Sequence, residues 1–440
     1  MTGRDDAVRM LDEIQRANLF LSALDEEGRW FRYHQLFRDL LRYELERSRL
    51  AEPAVLHRRA AEWFRDQGEA GEAIGHAIAS RDLDLAGALI AKAWRAEFNL
   101  GHLQTVESWL DALPPTQVAA DPRLTVARVW LHMDRGRLDD AGAALAGAGS
   151  AADDVHVGVL RALHAFKAGD LPRAGERLAA LHGQPADPFL VTVQHLVSGM
   201  CALWLGELTQ AEQRLRRASA LAEDTDNRLA QIYALGAQAL VAVLTGELRS
   251  AEAVLGRASA VVADARVDAH FVAMFPALAA ARLALARGRW HDATAAAGAA
   301  AELAGRGAGR VEQAAALLTA AEAARHAAPV SGADPQRWLD AAAAALRDCA
   351  DPGPTVRDWF GREQRARRVR PSAAAPAERL TERELGILAL LPTTMSQREM
   401  AGSLFVSPNT MKTHLRSIYR KLGAGSRDDA VLRARSLDLI

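Results

Sequence analysis

Apolar positions recur at helical spacing along most of this chain. Between residues 50 and 350 proline and glycine are sparse, aromatic residues are few, and a three-to-four residue period dominates. One short phrase returns inside that stretch: a glycine, then an alanine five positions on. It occurs as Gly136-Arg137-Leu138-Asp139-Asp140-Ala141, Gly169-Asp170-Leu171-Pro172-Arg173-Ala174 and Gly206-Glu207-Leu208-Thr209-Gln210-Ala211. It occurs again as Gly246-Glu247-Leu248-Arg249-Ser250-Ala251 and Gly288-Arg289-Trp290-His291-Asp292-Ala293. These glycines lie 33, 37, 40 and 42 residues apart, a spacing that fits two helices per repeat. The phrase predicts a left-handed glycine ending the first helix, a Leu or Trp plugging the turn, and an alanine admitting the second helix closely. One helical pair cannot bury its own apolar face, so neighbours must stack into a solenoid.

The first fifty residues read differently. Ala7 to Asn18 has an amphipathic helical pattern. Leu19–Leu24 and Arg29–Tyr33 are strand-like runs around Asp25-Glu26-Glu27-Gly28, with Gly28 closing a hairpin turn. A helix restarts at His34 to Leu41, and helix, hairpin, helix suggests part of a winged helix.

The last sixty residues carry the densest pattern. Thr381-Glu382-Arg383-Glu384 and Ser396-Gln397-Arg398-Glu399 each fit a capping box and mark helix starts. The first of these helices points Leu385, Leu388, Ala389 and Leu391 inward and stops at Pro392. The second offers Met400, Ala401 and Leu404, and Phe405-Val406 turns the chain into a third. That third helix starts at Ser407-Pro408, a hydroxyl cap before proline, and stops before Gly423. Met411, Leu415, Ile418 and Leu422 share one face of it. Asn409, Lys412, Thr413, Arg416 and Arg420 share roughly the opposite face, and such donors suit base edges and phosphates in a major groove. A fourth helix begins near Ser426 and presents Ala430, Val431 and Ala434. Two helices joined by a tight turn, the second exposing basic groups, make a helix-turn-helix.

This run, from Leu380 to Val431, resembles the LuxR-type helix-turn-helix over the whole domain. The resemblance implies that Lys412, Thr413 and Arg416 touch bases. It implies that Ser396, Thr410, His414, Lys421 and Arg427 lie at or near the phosphate backbone. Gly386 and the Pro392-Thr393-Thr394 turn depart from the usual pattern, which bears on stability and docking angle. The repeats resemble tetratricopeptide units of loose sequence and variable length. The segment from Ala17 to Glu46 is similar to the one that follows the nucleotide-binding module in MalT-like regulators, which end in a LuxR-type domain. No G-x-x-x-x-G-K-[ST] occurs, so the ATPase of those proteins does not carry over. Loss of the switch and a truncated or split protein both fit that departure.

Charge sharpens this picture. The formal net charge is −1, but fifteen Lys/Arg face eight Asp/Glu from Arg362 onward, a balance near +7 that leaves about −8 elsewhere. A basic end on an acidic body is the footprint of nucleic-acid contact. Lys92, Lys167, Lys412 and Lys421 are the only lysines, and two of them fall on the third helix. Arg362 to Arg370, followed by Pro371 to Pro376, reads as a basic, semi-stiff linker. Cys201 and Cys349 are the only cysteines, which predicts no disulfide framework. Nothing near Met1 reads as a signal peptide, and alanine-rich runs such as Ala341–Ala345 are too short to span a bilayer, so a cytoplasmic protein away from membranes is expected.

Catalytic signatures are weak. Gly305-Arg306-Gly307-Ala308-Gly309 follows a helix and reads as a flexible connector, not a dinucleotide loop. The thirteen histidines, His34 and His57 among them, show no zinc spacing, and no G-x-S-x-G occurs. We therefore expect no enzyme, no cofactor and no metal. The expected fold is all-α: a partial winged-helix segment over 1–50, tetratricopeptide-like repeats over 51–355, a basic Pro/Ala linker over 356–376 and a LuxR-type domain over 377–440. The expected function is sequence-specific binding of double-stranded DNA by a transcriptional regulator, with residues 408–422 in the major groove. A homodimer would read a symmetric site through the fourth helix around Ala430 to Ala434. The repeats would sense a small-molecule or protein effector, and RNA polymerase is a further partner of such a regulator. Two other readings stay open: an interaction scaffold with little DNA-binding role, and a non-switching partner of longer relatives.

Overall fold

A computed structural model of the chain describes residues 7–17, 21–23, 31–48, 52–147, 155–181, 187–331, 334–369, 380–392, 395–404, 406–422, 424, 427–436 and 439. Among the described residues the fold is all-α apart from one short hairpin: a helical-repeat solenoid with a small helical domain toward the C-terminus. The chain divides into two compact units. One comprises Met1–His164, Ala180–Leu190 and Glu223–Leu229, and the other Ala165–Ala179, Val191–Ala222 and Ala230–Ile440.

The first unit opens with α1 (Ala7–Arg16), the antiparallel strands β1 (Leu21–Ala23) and β2 (Phe31–Tyr33), and α2 (Gln35–Ser48). Leu21 stands opposite Tyr33, so the expected helix, hairpin, helix order is present. The turn through Gly28 lies outside the described residues. Helical hairpins follow: α3 (Pro53–Asp66) with α4 (Ala70–Ala79), then α5 (Leu83–Asn99) with α6 (Leu103–Asp111). After the short α7 (Pro115–Ala120) come α8 (Pro122–Asp134) with α9 (Leu138–Gly147). The series continues as α10 (Val155–Lys167) with α11 (Leu171–Ala179), α12 (Pro188–Leu205) with α13 (Leu208–Asp224), and α14 (Arg228–Leu244) with α15 (Leu248–Ala265). It ends with α16 (Met274–Ala286) and α17 (Trp290–Ala304), α18 (Arg310–Ser331) and α19 (Pro335–Arg347), and a final α20 (Gly353–Val369).

The recurring glycines behave as their phrase predicts. Gly136, Gly169, Gly206, Gly246 and Gly288 all have φ between +69° and +83°. At Gly206 the N–H donates to Leu203 O at 3.2 Å, and the next N–H, of Glu207, reaches back to Ala202 O at 2.8 Å. The same two bonds recur at Gly246 and Gly288. They satisfy carbonyls that the ending helix leaves unpaired, and only a left-handed residue can close that loop without strain. Two further turns of this kind, at Gly68 (φ +81°) and Gly101 (φ +87°), extend the array toward the N-terminus. The Gly68 copy keeps the alanine, as Ala73, but has Ala70 in the leucine position, whereas the Gly101 copy keeps Leu103 and has Val106 in the alanine position.

The alanines of the phrase, Ala141, Ala174, Ala211, Ala251 and Ala293, are each fully buried. A methyl is the whole side chain there because two helix backbones approach closely. Leu171 does plug its turn, but Trp290 does not. It is 39% exposed and lies flat on His326, with ring centroids 4.4 Å apart. An indole is too large for a turn shaped by leucine, and it finds its cover outside.

In the second unit the first helices of the hairpins are buried on nearly every side. Met274, Phe275, Leu278, Ala279, Ala281, Leu283 and Ala284 bury most of α16, and Ile232 to Leu240 does the same for α14. Small residues permit this: a Cβ on Gly236 would stand 2.5 Å from Pro276 Cδ. Among the described residues one helix, α12, is long and apolar enough to cross a membrane. Its Met200, Leu203 and Trp204 are instead fully buried in the protein.

Two expectations need correction. Gly307, Ala308 and Gly309 are buried, so the glycine stretch is a packed turn and no loose connector. There Lys167 Nζ donates to Gly307 O at 2.6 Å and sits 4.3 Å from the Phe271 ring centre. The Gly309 N–H and the Tyr233 hydroxyl both donate to the fully buried Glu312. Residues 356 to 369, read as linker, instead belong to helix α20, because Val356 and Trp359 find an apolar seat. Cys201 is buried and Cys349 half-buried, and neither is in a disulfide.

Candidate nucleic-acid interface

The C-terminal domain is built from α21 (Glu382–Leu390), α22 (Gln397–Ser403), α23 (Pro408–Leu422) and α24 (Arg427–Ser436). Both predicted capping boxes form: Thr381 and Ser396 accept from the backbone of Glu384 and Glu399, whose carboxylates reach back to the cap N–H groups. At the third start the Ser407 hydroxyl accepts from Thr410 N at 3.1 Å and pairs with the Thr410 hydroxyl at 2.8 Å. The starts of α21, α22 and α23 are thus fixed by side chains close in sequence.

The core is the predicted stripe. Met411, Leu415, Ile418 and Leu422 are at most 6% exposed and pack with Met400, Ala401, Leu388 and Leu391. The inward face of α21 differs from expectation: Ile387 and Glu384 are buried, whereas Ala389 is exposed. Placing α21 on α23 turns the stripe by one position, and a buried glutamate cannot be recognised from apolar spacing.

Glu384 is the hub of the domain. Its carboxylate accepts from Thr381 N at 2.8 Å, Ser417 Oγ at 2.7 Å and Lys421 Nζ at 2.8 Å. Burial alone would raise its pKa, but the Lys421 ammonium and the donors from Thr381 and Ser417 outweigh that and hold it at about 2. The group caps α21 and, at once, clamps the far end of α23.

Four groups on the proposed reading face, Asn409, Lys412, Thr413 and Arg416, are exposed side by side on α23, and Arg420 is exposed one turn beyond. Thr413 Oγ1 donates to Asn409 O at 3.0 Å, so its hydroxyl hydrogen is engaged and its methyl and a lone pair remain. Thr410 and Ser396 are exposed at their helix starts, and His414 is half-buried. Lys421 and Arg427, which the resemblance places at or near the phosphate backbone, have partners within the domain. The Lys421 side chain is only 10% exposed and engaged by Glu384. Arg427 donates through Nε to Leu391 O at 2.9 Å and through Nη1 to Met395 O at 2.6 Å, tying the α21–α22 turn to α24. On α24, the helix expected to pair two domains around Ala430 to Ala434, these two alanines are fully buried in the domain's own core.

Comparison with known proteins bears on both ends of the chain. Residues 378–434 match the family of bacterial regulatory proteins of the luxR type. Residues 1–53 match the MalT winged helix domain. Among solved structures, a signal transduction ATPase with numerous domains and a tetratricopeptide repeat sensor, from Pyrococcus horikoshii, aligns at 11% identity with a TM-score of 0.45. The alignment covers 82% of this chain and 59% of that one.

Proposed function

Since the chain is a MalT-like, DNA-binding transcription regulator of the LuxR family, we propose that it reads a specific duplex site with α23 in the major groove. The observation that carries this reading is the split of α23. Its four apolar anchors are at most 6% exposed while Asn409, Lys412, Thr413 and Arg416 face solvent together. Arg416 and Lys412 suit the O6 and N7 acceptors of guanine, and Asn409 suits adenine. With its hydroxyl hydrogen engaged, Thr413 offers a methyl to thymine or accepts from an amino group. Ser396, Thr410, His414 and Arg420 flank that face as phosphate contacts.

Two copies would read a symmetric site, through a surface other than the buried Ala430 and Ala434 face. The repeats supply the effector-sensing part, RNA polymerase is the onward partner, and the setting is cytoplasmic. The protein acts by binding, with no catalytic step. The test is selection of duplexes from a random pool, followed by titration of the winning sequence. Lys412→Ala and Arg416→Ala should each weaken it by ~1–3 kcal/mol and relax preference at one base pair, with helicity unchanged. Unchanged affinity in both variants would refute the assignment.

A further inference from the structure

The last helix before the C-terminal domain, α20, rests on α12, α16 and α18, first helices of three different hairpins, and on α19. Its start is pressed against α12: Gly353 has φ +79°, and a Cβ there would lie 2.5 Å from Trp204 O. Thr355 Oγ1 donates to Leu203 O at 3.2 Å. Trp359 stands edge-on to Trp204 with centroids 6.2 Å apart, and the Arg282 guanidinium of α16 lies 4.1 Å over its ring. Glu363 forms two bonds to Arg325 of α18, at 2.9 and 3.0 Å. Val356, Trp359 and Glu363 are therefore the buried anchors, at positions i, i+3 and i+7 of one helix face. The opposite face, with Arg357, Asp358 and Arg365, is exposed, as are Arg362 beside it and Arg367 one turn beyond Glu363.

This seat differs from the interior that surrounds it. The first helices α14 and α16 bury apolar side chains on almost all sides, whereas α20 buries only Val356 and Trp359 fully, with Phe360 half-buried, beside an arginine–carboxylate pair, and keeps its outer face in water. Withdrawing α20 returns both members of that pair to water, so their separation costs little compared with opening an apolar core. Segments held by few buried contacts open at lower free energy than the domain as a whole.

We propose that the groove on α12, α16, α18 and α19 is a receptor for an amphipathic helix bearing an aliphatic residue, a tryptophan and a carboxylate at i, i+3 and i+7. The segment α20 occupies it in cis and can leave without unfolding the repeats. Release adds its 17 residues to the tether leading to α21. The proposal does not depend on DNA binding by the C-terminal domain.

The experiment is hydrogen exchange on the full chain together with a peptide spanning residues 353–369. In Trp359→Ala the amides of α20 should exchange on the order of 100-fold faster, while those of α14 and α16 keep their rates. The unaltered peptide should bind that variant at least ~10-fold more tightly than the native chain, whose groove is filled. A peptide carrying Glu363→Gln should bind more weakly than the unaltered one. Glu363→Gln in the full chain serves as the milder variant should the indole prove necessary for folding. Exchange of α20 in step with α16 in both variants, or failure of the peptide to bind either, overturns the proposal.

Discussion

Glu384 offers the sharpest test of how the C-terminal domain is held together. Substituting Glu384→Gln keeps the shape and one acceptor for Thr381 N, but removes the charge that Lys421 and Ser417 address. The carboxyl titrates near 2 in the folded chain against an ordinary 4.5. At about 1.4 kcal/mol per unit, that shift corresponds to roughly 3 kcal/mol of stabilisation. The side chains of Glu384 and Lys421 are 5% and 10% exposed, so solvent screens little of it. Because the folded pKa is depressed, the contribution is complete above pH 4.5 and is lost as pH falls toward 2. The variant should therefore lose roughly 2–3 kcal/mol at pH 7, with the difference from the native protein shrinking through that window. Hydrogen exchange resolved to peptides from α21 and α23, corrected for intrinsic rates, reads the local free energy. A difference that stays constant between pH 6 and pH 3, or none at pH 7, would refute the reasoning.

The remaining expectations concern side chains with well-defined surroundings. Gly386→Ala should stabilise the domain by up to ~1 kcal/mol, since the glycine is exposed within α21 and a Cβ there meets nothing within 4 Å; thermal unfolding measures it. Gly236→Ala should do the reverse, because its Cβ would stand 2.5 Å from Pro276 Cδ and 2.6 Å from Phe275 Cβ. Overpacking of that kind costs ~1–3 kcal/mol, more than the better helix propensity returns, and urea unfolding decides the sign. Arg427→Met should loosen the α21–α22 turn by ~1–3 kcal/mol through its two lost carbonyl bonds. The slope of log affinity for DNA against log salt should stay unchanged in that variant. A direct phosphate contact, if lost, would reduce the slope by about 0.9.

Local chemistry is what the sequence determined alone. A glycine that must take positive φ, a hydroxyl that caps a helix and a glutamate three residues later act within one turn of chain, so their residues announce them. The repeat turns at Gly136 through Gly288, both capping boxes and the buried face of α23 were legible for that reason. The exposed face of α23 was legible too, because sharing a face follows from helical period.

Tertiary packing decided which polar groups face water and which are taken. Lys421 and Arg416 look alike along the chain, yet one meets a carboxylate placed 37 residues earlier and the other meets solvent. The same holds for α20, whose arginine-rich string suggested a free linker until Trp359 and Glu363 found Trp204, Arg282 and Arg325. Helical period fixes how side chains are grouped on a rod. Which group is covered depends on contacts between residues far apart in sequence, and these exist only once the rods have packed.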